Sequence, residues 1–504
     1  MPSDDHSRRK TLTVKKTARD AHAAGDRGKR TRSGARARSA AQMELAKEKT
    51  GRTLAHPAPQ QRAESGTFSA RAGKAPGQRG THDDSQRAPR SGAFGPRDLE
   101  TGDRPSGARR REPRAAREPE TFDIFAPCPQ GLEEALTAEM QALGFADARA
   151  GRAGCHFRAD WAGVQRANLY SRLATRILVQ VAHEEISHED DILYLARDVP
   201  WERWFGAEQT LRVDTSAIKS PVQSLHYCNL RAKDGICDRL REREGERPSI
   251  DTVRPDARVH LFLTGHTATL YLDTSGESLF KRGWRLDKGE APLRENLAAG
   301  MLALAGWDPA GALLDPFCGS GTILIEAAWI ALGVPAGISR PFGFERLRDH
   351  DARRWQDLKD DARSRILPQL DAPLVGYDLD PRAIDFARSN AERAWLTADS
   401  IRFEVGDARS APPPAEQGWI VTNPPYGERL PSDESDLWRE WSAHLKREYA
   451  GWQLHVISSD RDLPQHLRLK PLRRIPLYNG ALDCRLFGFE LVASSYRDRP
   501  PLAL

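Results

Sequence analysis

Apolar positions begin to recur with helix and strand periods only after about residue 120. The run Thr121-Phe-Asp-Ile-Phe-Ala126 predicts a strand. Behind it Leu132, Leu136, Met140 and Leu143, spaced by 4, 4 and 3, line one face of a helix that Gly144 closes. Strand-like runs at 209–214, 259–263 and 267–272 alternate with helix-like runs at 161–178 and 225–243. That mixture predicts an α+β module over 121–275, without any repeat of fixed period, and then a linker over 276–290. From residue 291 the pattern becomes apolar strand, glycine or acidic turn, then helix. The strands are Ala312-Leu-Leu-Asp315, Leu374-Val-Gly-Tyr-Asp378, Ile401-Arg-Phe-Glu-Val405, Gly418-Trp-Ile-Val-Thr422 and Leu454-His-Val-Ile457. Near-continuous apolar strands separated by helices require a parallel sheet covered on both faces, so 291–504 predicts an α/β, doubly wound, Rossmann-like domain. Its ligand site should lie outside the carboxyl ends of the strands.

Charge changes the picture at the other end of the chain. Of the 76 Lys+Arg and 71 Asp+Glu in 504 residues, the first 120 hold 28 and 15, a net of +13. The remainder holds 48 and 56, a net of −8. Those 120 residues contain four Leu, one Val, two Phe and no Ile, Trp, Tyr or Cys, too few to build a core. A disordered basic tail over 1–120 follows, able to bind phosphate backbones by charge alone. No run approaches 18 apolar residues and no apolar segment follows the charged start, so a membrane span and a secretory signal are excluded. The six cysteines include no C-x-x-C pair and the fourteen histidines no metal-ligand cluster. A cytoplasmic protein with reduced cysteines and no metal is expected.

The candidate chemistry sits at successive strand ends. The first strand runs into Asp315-Pro-Phe-Cys-Gly-Ser-Gly-Thr322 and then a helix, so Gly319 and Gly321 leave room for a ligand near free helix N–H groups. No Lys follows the second glycine and no third glycine appears, which excludes the phosphate-loop and dinucleotide fingerprints. What remains is a turn suited to the amino-acid end of S-adenosylmethionine, with Asp315, Pro316, Phe317, Gly319, Gly321 and Thr322 as its binding residues. Asp378, 63 residues after Asp315, is placed to accept ribose hydroxyls, or else serves as a turn acid or helix cap. The extra spacing matches a charged insertion over 337–373. Asp407 on the third strand is placed to accept the adenine amine.

The fourth strand ends in Asn423-Pro424-Pro425-Tyr426. A base amine is a poor nucleophile because its lone pair is delocalised into the ring. Two fixed acceptors, the Asn423 side-chain carbonyl and the Pro424 backbone carbonyl, can each take one amine N–H and turn the lone pair out of conjugation. The paired prolines stiffen the loop and remove competing donors, and Tyr426 offers a face for an extruded base. Asn423 is thus placed against both base and cofactor. Lys281, Arg282 and Arg285 read as phosphate contacts, or as an interdomain turn, with Trp284 stacking or packing beside them.

The Asp315 to Thr322 turn, the acid after the second strand and N-P-P-Y-G together resemble class I S-adenosylmethionine-dependent amino-methyltransferases. Glu277 to Arg285, Ala291 to Ala299 and Pro341 to Leu347 extend the resemblance to bacterial large-subunit rRNA guanine-N2 methyltransferases of the RlmL type, over essentially all of 121–504. The resemblance implies a ferredoxin-like lead-in plus a THUMP RNA-binding domain over 121–275, RNA as partner, and N2-methylguanosine in 23S rRNA or a large-subunit precursor as product. Some members carry a second methyltransferase domain that makes 7-methylguanosine; with the chain ending at Leu504, that activity is expected to be absent. The basic tail is outside the shared core. Rival readings are a tRNA guanine-N2 or DNA adenine-N6 methyltransferase, since the loop chemistry serves any exocyclic amine, and an RNA-binding ribosome assembly factor without catalysis.

Overall fold

The computed structural model describes residues 120–222, 224–286, 293–348, 350–425 and 434–492. The tail over 1–119, Tyr426 and part of the linker lie outside them. Two seven-stranded sheets organise the described chain. The first contains β1 (Phe122–Pro127), β2 (Arg149–Gly151), β3 (Gly154–Ala159), β4 (Leu178–Glu185), β5 (Leu211–Ala217), β6 (Ala257–Leu263) and β7 (Thr267–Asp273) in the order β2-β3-β1-β4-β7-β6-β5. Its only parallel pair among the described residues is β5 with β6. The β4–β7 ladder makes the α+β region one continuous sheet, a connection that no periodicity reveals. Helices α1 (Glu133–Ala142), α2 (Trp161–Tyr170), α3 (Asp191–Asp198) and α4 (Leu225–Glu244) belong to this half.

The expected helix over 161–178 is too long. Asp160 caps α2 by accepting from Gly163 N, but the helix ends at Tyr170 and the chain turns extended at Ser171. The cause is tertiary. The half-buried Glu139 carboxylate of α1 accepts from Ser171 Oγ and Arg172 N, each at 2.7 Å, and so satisfies the Arg172 N–H that a longer helix would use internally. Leu178 then opens β4. By contrast, α4 is bounded by local signals: Ser224 accepts from Tyr227 N, and Gly245 takes the left-handed conformation at φ 88°.

The second sheet holds β8 (Leu313–Asp315), β9 (Leu374–Asp378), β10 (Arg402–Val405), β11 (Trp419–Thr422), β12 (Gln453–Ser458), β13 (Arg473–Asn479) and β14 (Leu482–Glu490), ordered β10-β9-β8-β11-β12-β14-β13. The first five are parallel, and β14 inserts antiparallel beside β12. The chain builds outward from β8 to β10 and then returns to the other side of β8, which makes the β8/β11 boundary the switch point where ligand crevices open. Helices α5 (Glu295–Ala305), α6 (Thr322–Ala331), α7 (Ala352–Ser364), α8 (Pro381–Arg393), α9 (Glu434–Glu448) and the short α10 (Leu463–His466) complete this half. α6 is buried from Thr322 through Trp329, with Glu326 as its one charged residue, because it is packed by both sheet and α5.

The insertion proves to be a strap between the halves. Phe342 and Phe344 stack with centroids 5.3 Å apart and meet Trp355 of α7 edge-on. Phe344 N donates to Thr274 O, and Arg348 pairs with Glu208 and Glu244 of the first half. Beneath it lies a buried arginine junction. Arg340 donates to the carbonyls of Ser275, Glu277 and Ser278, while Arg172 donates to those of Trp329 and Val334. Arg282 sits between them with its side chain fully enclosed, 3.1 Å from Glu326.

His455 on β12 is buried opposite Gly488 of β14, and burial, aided by Arg473, pushes its imidazole down to about 4. The unfolded chain binds this proton near 6.5, so the contribution is complete above that pH and is lost as pH falls towards 4. Relative to wild type, His455→Leu should flatten the acid limb of denaturant-melt stability by about 3 kcal/mol between those limits. An unchanged slope would show that His455 is not held neutral.

Candidate active site

The four carboxyl-terminal strand ends are tied together by short-range hydrogen bonds. At the switch point Thr422 Oγ1 donates to Asp315 Oδ1 at 2.6 Å, joining β11 to β8. Asp378 Oδ2 accepts from Gly319 N at 2.9 Å and Oδ1 from Asp380 N, so this acid braces the glycine turn. Asp380, not Asp378, caps α8. Gly406 N donates to the Asp378 carbonyl, which brings the β10 end alongside. Asn390 of α8 holds Ser320 O from below.

The glycines serve different ends. Gly321 has φ 81°, and a Cβ there would lie 2.9 Å from the Phe403 ring and 3.1 Å from Ala387, so close packing demands the hydrogen. Gly319 has φ 52° with nothing within 4 Å of a Cβ position, so the backbone borders open space. Pro316 is buried, and Phe317 is half-buried with its ring edge-on to Trp441 at 5.2 Å. Thr322 begins α6 and is buried.

At the β11 end the polar bookkeeping does not close. Among the described residues the shielded Asn423 Oδ1 oxygen has no hydrogen-bond partner, beside a buried Pro424 and a half-buried Pro425. An unpaired buried carbonyl forfeits about 1–3 kcal/mol, so such an exception calls for a physical reason. Asp407 is placed at the β10 end as expected, but both its oxygens contact Arg409, which also reaches Glu440. That pairing holds the Asp407 carboxyl below its usual range; its remaining lone pairs are the ones an amine can use.

Two of the three expected phosphate contacts need correction. Arg282 is 1% exposed and spends its N–H groups on Glu326, Leu279 O and Arg172 O, so it cannot reach a phosphate. Arg285 is turned inward onto Glu295, Leu293 O and Thr322 Oγ1. Lys281 alone is at the surface, paired with Glu277 four residues earlier. Trp284 is buried against Trp329 and thus packs. The Arg282–Glu326 and Arg285–Thr322 pairings span 44 and 37 residues and carry no local signal; Thr422 was readable only as the residue before Asn423.

Burial raises the Asp315 carboxyl to about 7, against the lowering effect of Thr422. The folded chain therefore keeps a proton that the unfolded chain releases near 3.8, and this contribution is lost as pH rises towards 7. Relative to wild type, Asp315→Asn should remove a decline of about 4 kcal/mol across that window, opposite in sign to the His455 slope. Denaturant melts at pH 4.5 and 7.5 check it; parallel curves for variant and wild type would refute the raised value.

Asparagine-proline-proline at the β11 end, acids as the last residues of β8 and β9 and a glycine turn at the switch point together define a Rossmann-like methyltransferase domain. Comparison with known families agrees. Residues 282–487 match the RMKL-like methyltransferase domain, 123–178 the RlmL ferredoxin-like domain and 187–273 the THUMP domain. The chain belongs to the RlmL-like methyltransferase family. It is 42% identical to the ribosomal RNA large subunit methyltransferase K/L of Syntrophotalea carbinolica over 74% of this chain and 54% of that protein. Against the same-named protein of Methylococcus capsulatus it is 38% identical over 75% and 52%. The chain thus spans about half the length of the curated relatives it matches. Among solved structures, a methylase from Clostridium difficile shares 31% identity with TM-score 0.69, over 76% of this chain and all of that one. A methyltransferase complexed with SAH shares 27% identity with TM-score 0.68, over 74% and 98%.

Proposed function

We propose that this chain methylates the exocyclic N2 amine of a guanine in 23S rRNA, or in a large-subunit precursor, using S-adenosylmethionine in the cytoplasm. The observation that carries the reading is the shielded Asn423 Oδ1 at the switch point, without a partner among the described residues. The open space beside Gly319, with Asp315, Asp378 and Asp407 around the same edge, fits the cofactor. Asp315, Pro316, Phe317, Gly319, Gly321, Thr322, Asp378, Asp407 and Asn423 are the residues assigned to hold it. Bound there, it supplies an electrophilic sulfonium methyl.

The chain's own contribution is positioning. Asn423 Oδ1 and the Pro424 carbonyl accept the two amine N–H groups, which directs the nitrogen lone pair out of the ring plane, and Pro425 keeps the loop stiff. Tyr426, outside the described residues, is assigned to stacking on the extruded base. The ferredoxin-like and THUMP matches and the names of the curated relatives support RNA, and specifically rRNA, as partner. A solved relative from Listeria monocytogenes, 30% identical, carries the name N6-adenine-specific DNA methylase, so DNA belongs in the test. Labelled methyl transfer to unmodified 23S rRNA, tRNA and DNA, followed by mapping, decides among them. Label in N2-methylguanosine of 23S rRNA is expected, and label confined to tRNA or to N6-methyladenine overturns the assignment.

A further inference from the structure

We propose that Arg285 is a positioning residue for the cofactor turn, acting through Thr322, and not an RNA contact. This inference rests on the cofactor assignment above. The Arg285 guanidinium is largely enclosed, at 11% exposure, and its hydrogen-bond partners among the described residues lie on the catalytic half. Nε donates to Glu295 Oε1 at 2.9 Å, and Nη2 donates to Leu293 O at 2.9 Å and Thr322 Oγ1 at 2.7 Å. Its face also lies 5.3 Å from the centroid of the Trp284 ring, which packs on Trp329 of α6. One planar fork therefore joins the start of α5 to the first residue of α6.

Thr322 is the residue at which the glycine turn becomes helix. The turn is also held by Tyr377 O on Cys318 N, by Asp378 on Gly319 N and by Asn390 on Ser320 O. Arg285 adds a hold at the turn's exit. One helical turn along α6, Glu326 is gripped by Arg282 of the same connector and approached by Arg172 of the first half. The connector leaving the first sheet thus fixes α6 at two successive turns, with Arg285 at the end where the ligand N–H groups lie. An enclosed guanidinium is a costly way to fill space, since apolar packing of equal volume is often neutral or better. Its return here is a fixed direction for the α6 N-terminus.

The test is a double-mutant cycle on the full chain, read by calorimetric binding of S-adenosylhomocysteine and by steady-state methyl transfer to unmodified rRNA. Arg285→Met should weaken S-adenosylhomocysteine roughly ten- to a hundredfold, the scale of one lost charge-assisted hydrogen bond. Arg285→Lys should not restore it, because one ammonium cannot serve three in-plane acceptors. Thr322→Val, which leaves the Glu295 pair intact and guards against a folding failure, should weaken binding in the same direction. Adding it to Arg285→Met should cost no more than about a further twofold, the ordinary limit of additivity. KM for the cofactor should rise while KM for RNA stays at the wild-type value.

Three results overturn the proposal. Lower melting temperatures with S-adenosylhomocysteine affinity unchanged in both single variants would reduce Arg285 to scaffold. Additive losses in the cycle would mean that Thr322 meets the cofactor independently. A raised KM for RNA with intact cofactor affinity would restore the phosphate contact. Wild-type protein that binds S-adenosylhomocysteine yet leaves rRNA unmethylated would remove the proposed substrate and leave the Arg285 inference standing.

Discussion

Asn423→Ala should lower single-turnover methyl transfer by roughly 10²–10³, the loss seen when one preorganised polar group facing a reacting centre is removed. The reason is visible in the ground state. Asn423 Oδ1 is already shielded and, among the described residues, unpaired, so its desolvation has been met before any base arrives, and the first amine N–H to reach it gains a full hydrogen bond. Removing the side chain deletes that acceptor but leaves Asp315–Thr422, Asp378–Gly319 and the glycine turn in place. S-adenosylhomocysteine affinity should therefore move far less than the rate. Asn423→Asp restores an acceptor but adds a charge to a shielded position, and should recover only part of the activity. Transfer by Asn423→Ala within tenfold of wild type would remove the amine-gripping role and favour a non-catalytic assembly function.

Arg282→Met should destabilise the described fold by about 3–5 kcal/mol in denaturant melts, because it strands the Glu326 carboxylate without its main cation at a position with no solvent access. Arg172 stands 3.9 Å from the same carboxylate and softens the loss without replacing the shorter pair. The double replacement Arg282→Met with Glu326→Leu removes both charges together and should recover most of the loss, since two apolar groups of similar volume suit that site. RNA affinity, compared at fixed salt, should be unchanged in the double variant. A loss of RNA binding in the stable double variant would contradict the burial of Arg282 and return it to the interface.

Both outcomes bear on how far the chain could be read in advance. The five parallel strands were legible because each is a short apolar run bounded by glycine, proline or acid, and periodicity survives whatever packs around it. The Asn423 loop could be read for a different reason: the groups assigned to it sit on four consecutive residues. Arg282 and Arg285 were misread because exposed and enclosed arginines have the same local surroundings in the chain. What separates them is Glu326 and Thr322, 44 and 37 residues away. The overlong α2 failed similarly, since the carboxylate that ends it belongs to another helix.

By itself, the sequence determined the class of sheet, the order of its strand ends and the groups that those ends carry, because all three follow from local period and turn chemistry. Only the tertiary structure decided that the first half is one continuous seven-stranded sheet and that the insertion straps the halves together. It also decided which arginines are structural and that the Asn423 carbonyl has no partner among the described residues. Those facts depend on which distant groups meet in a space without water, where a missing or present partner changes the free energy of a charge or a carbonyl by several kcal/mol. No local pattern encodes such a meeting.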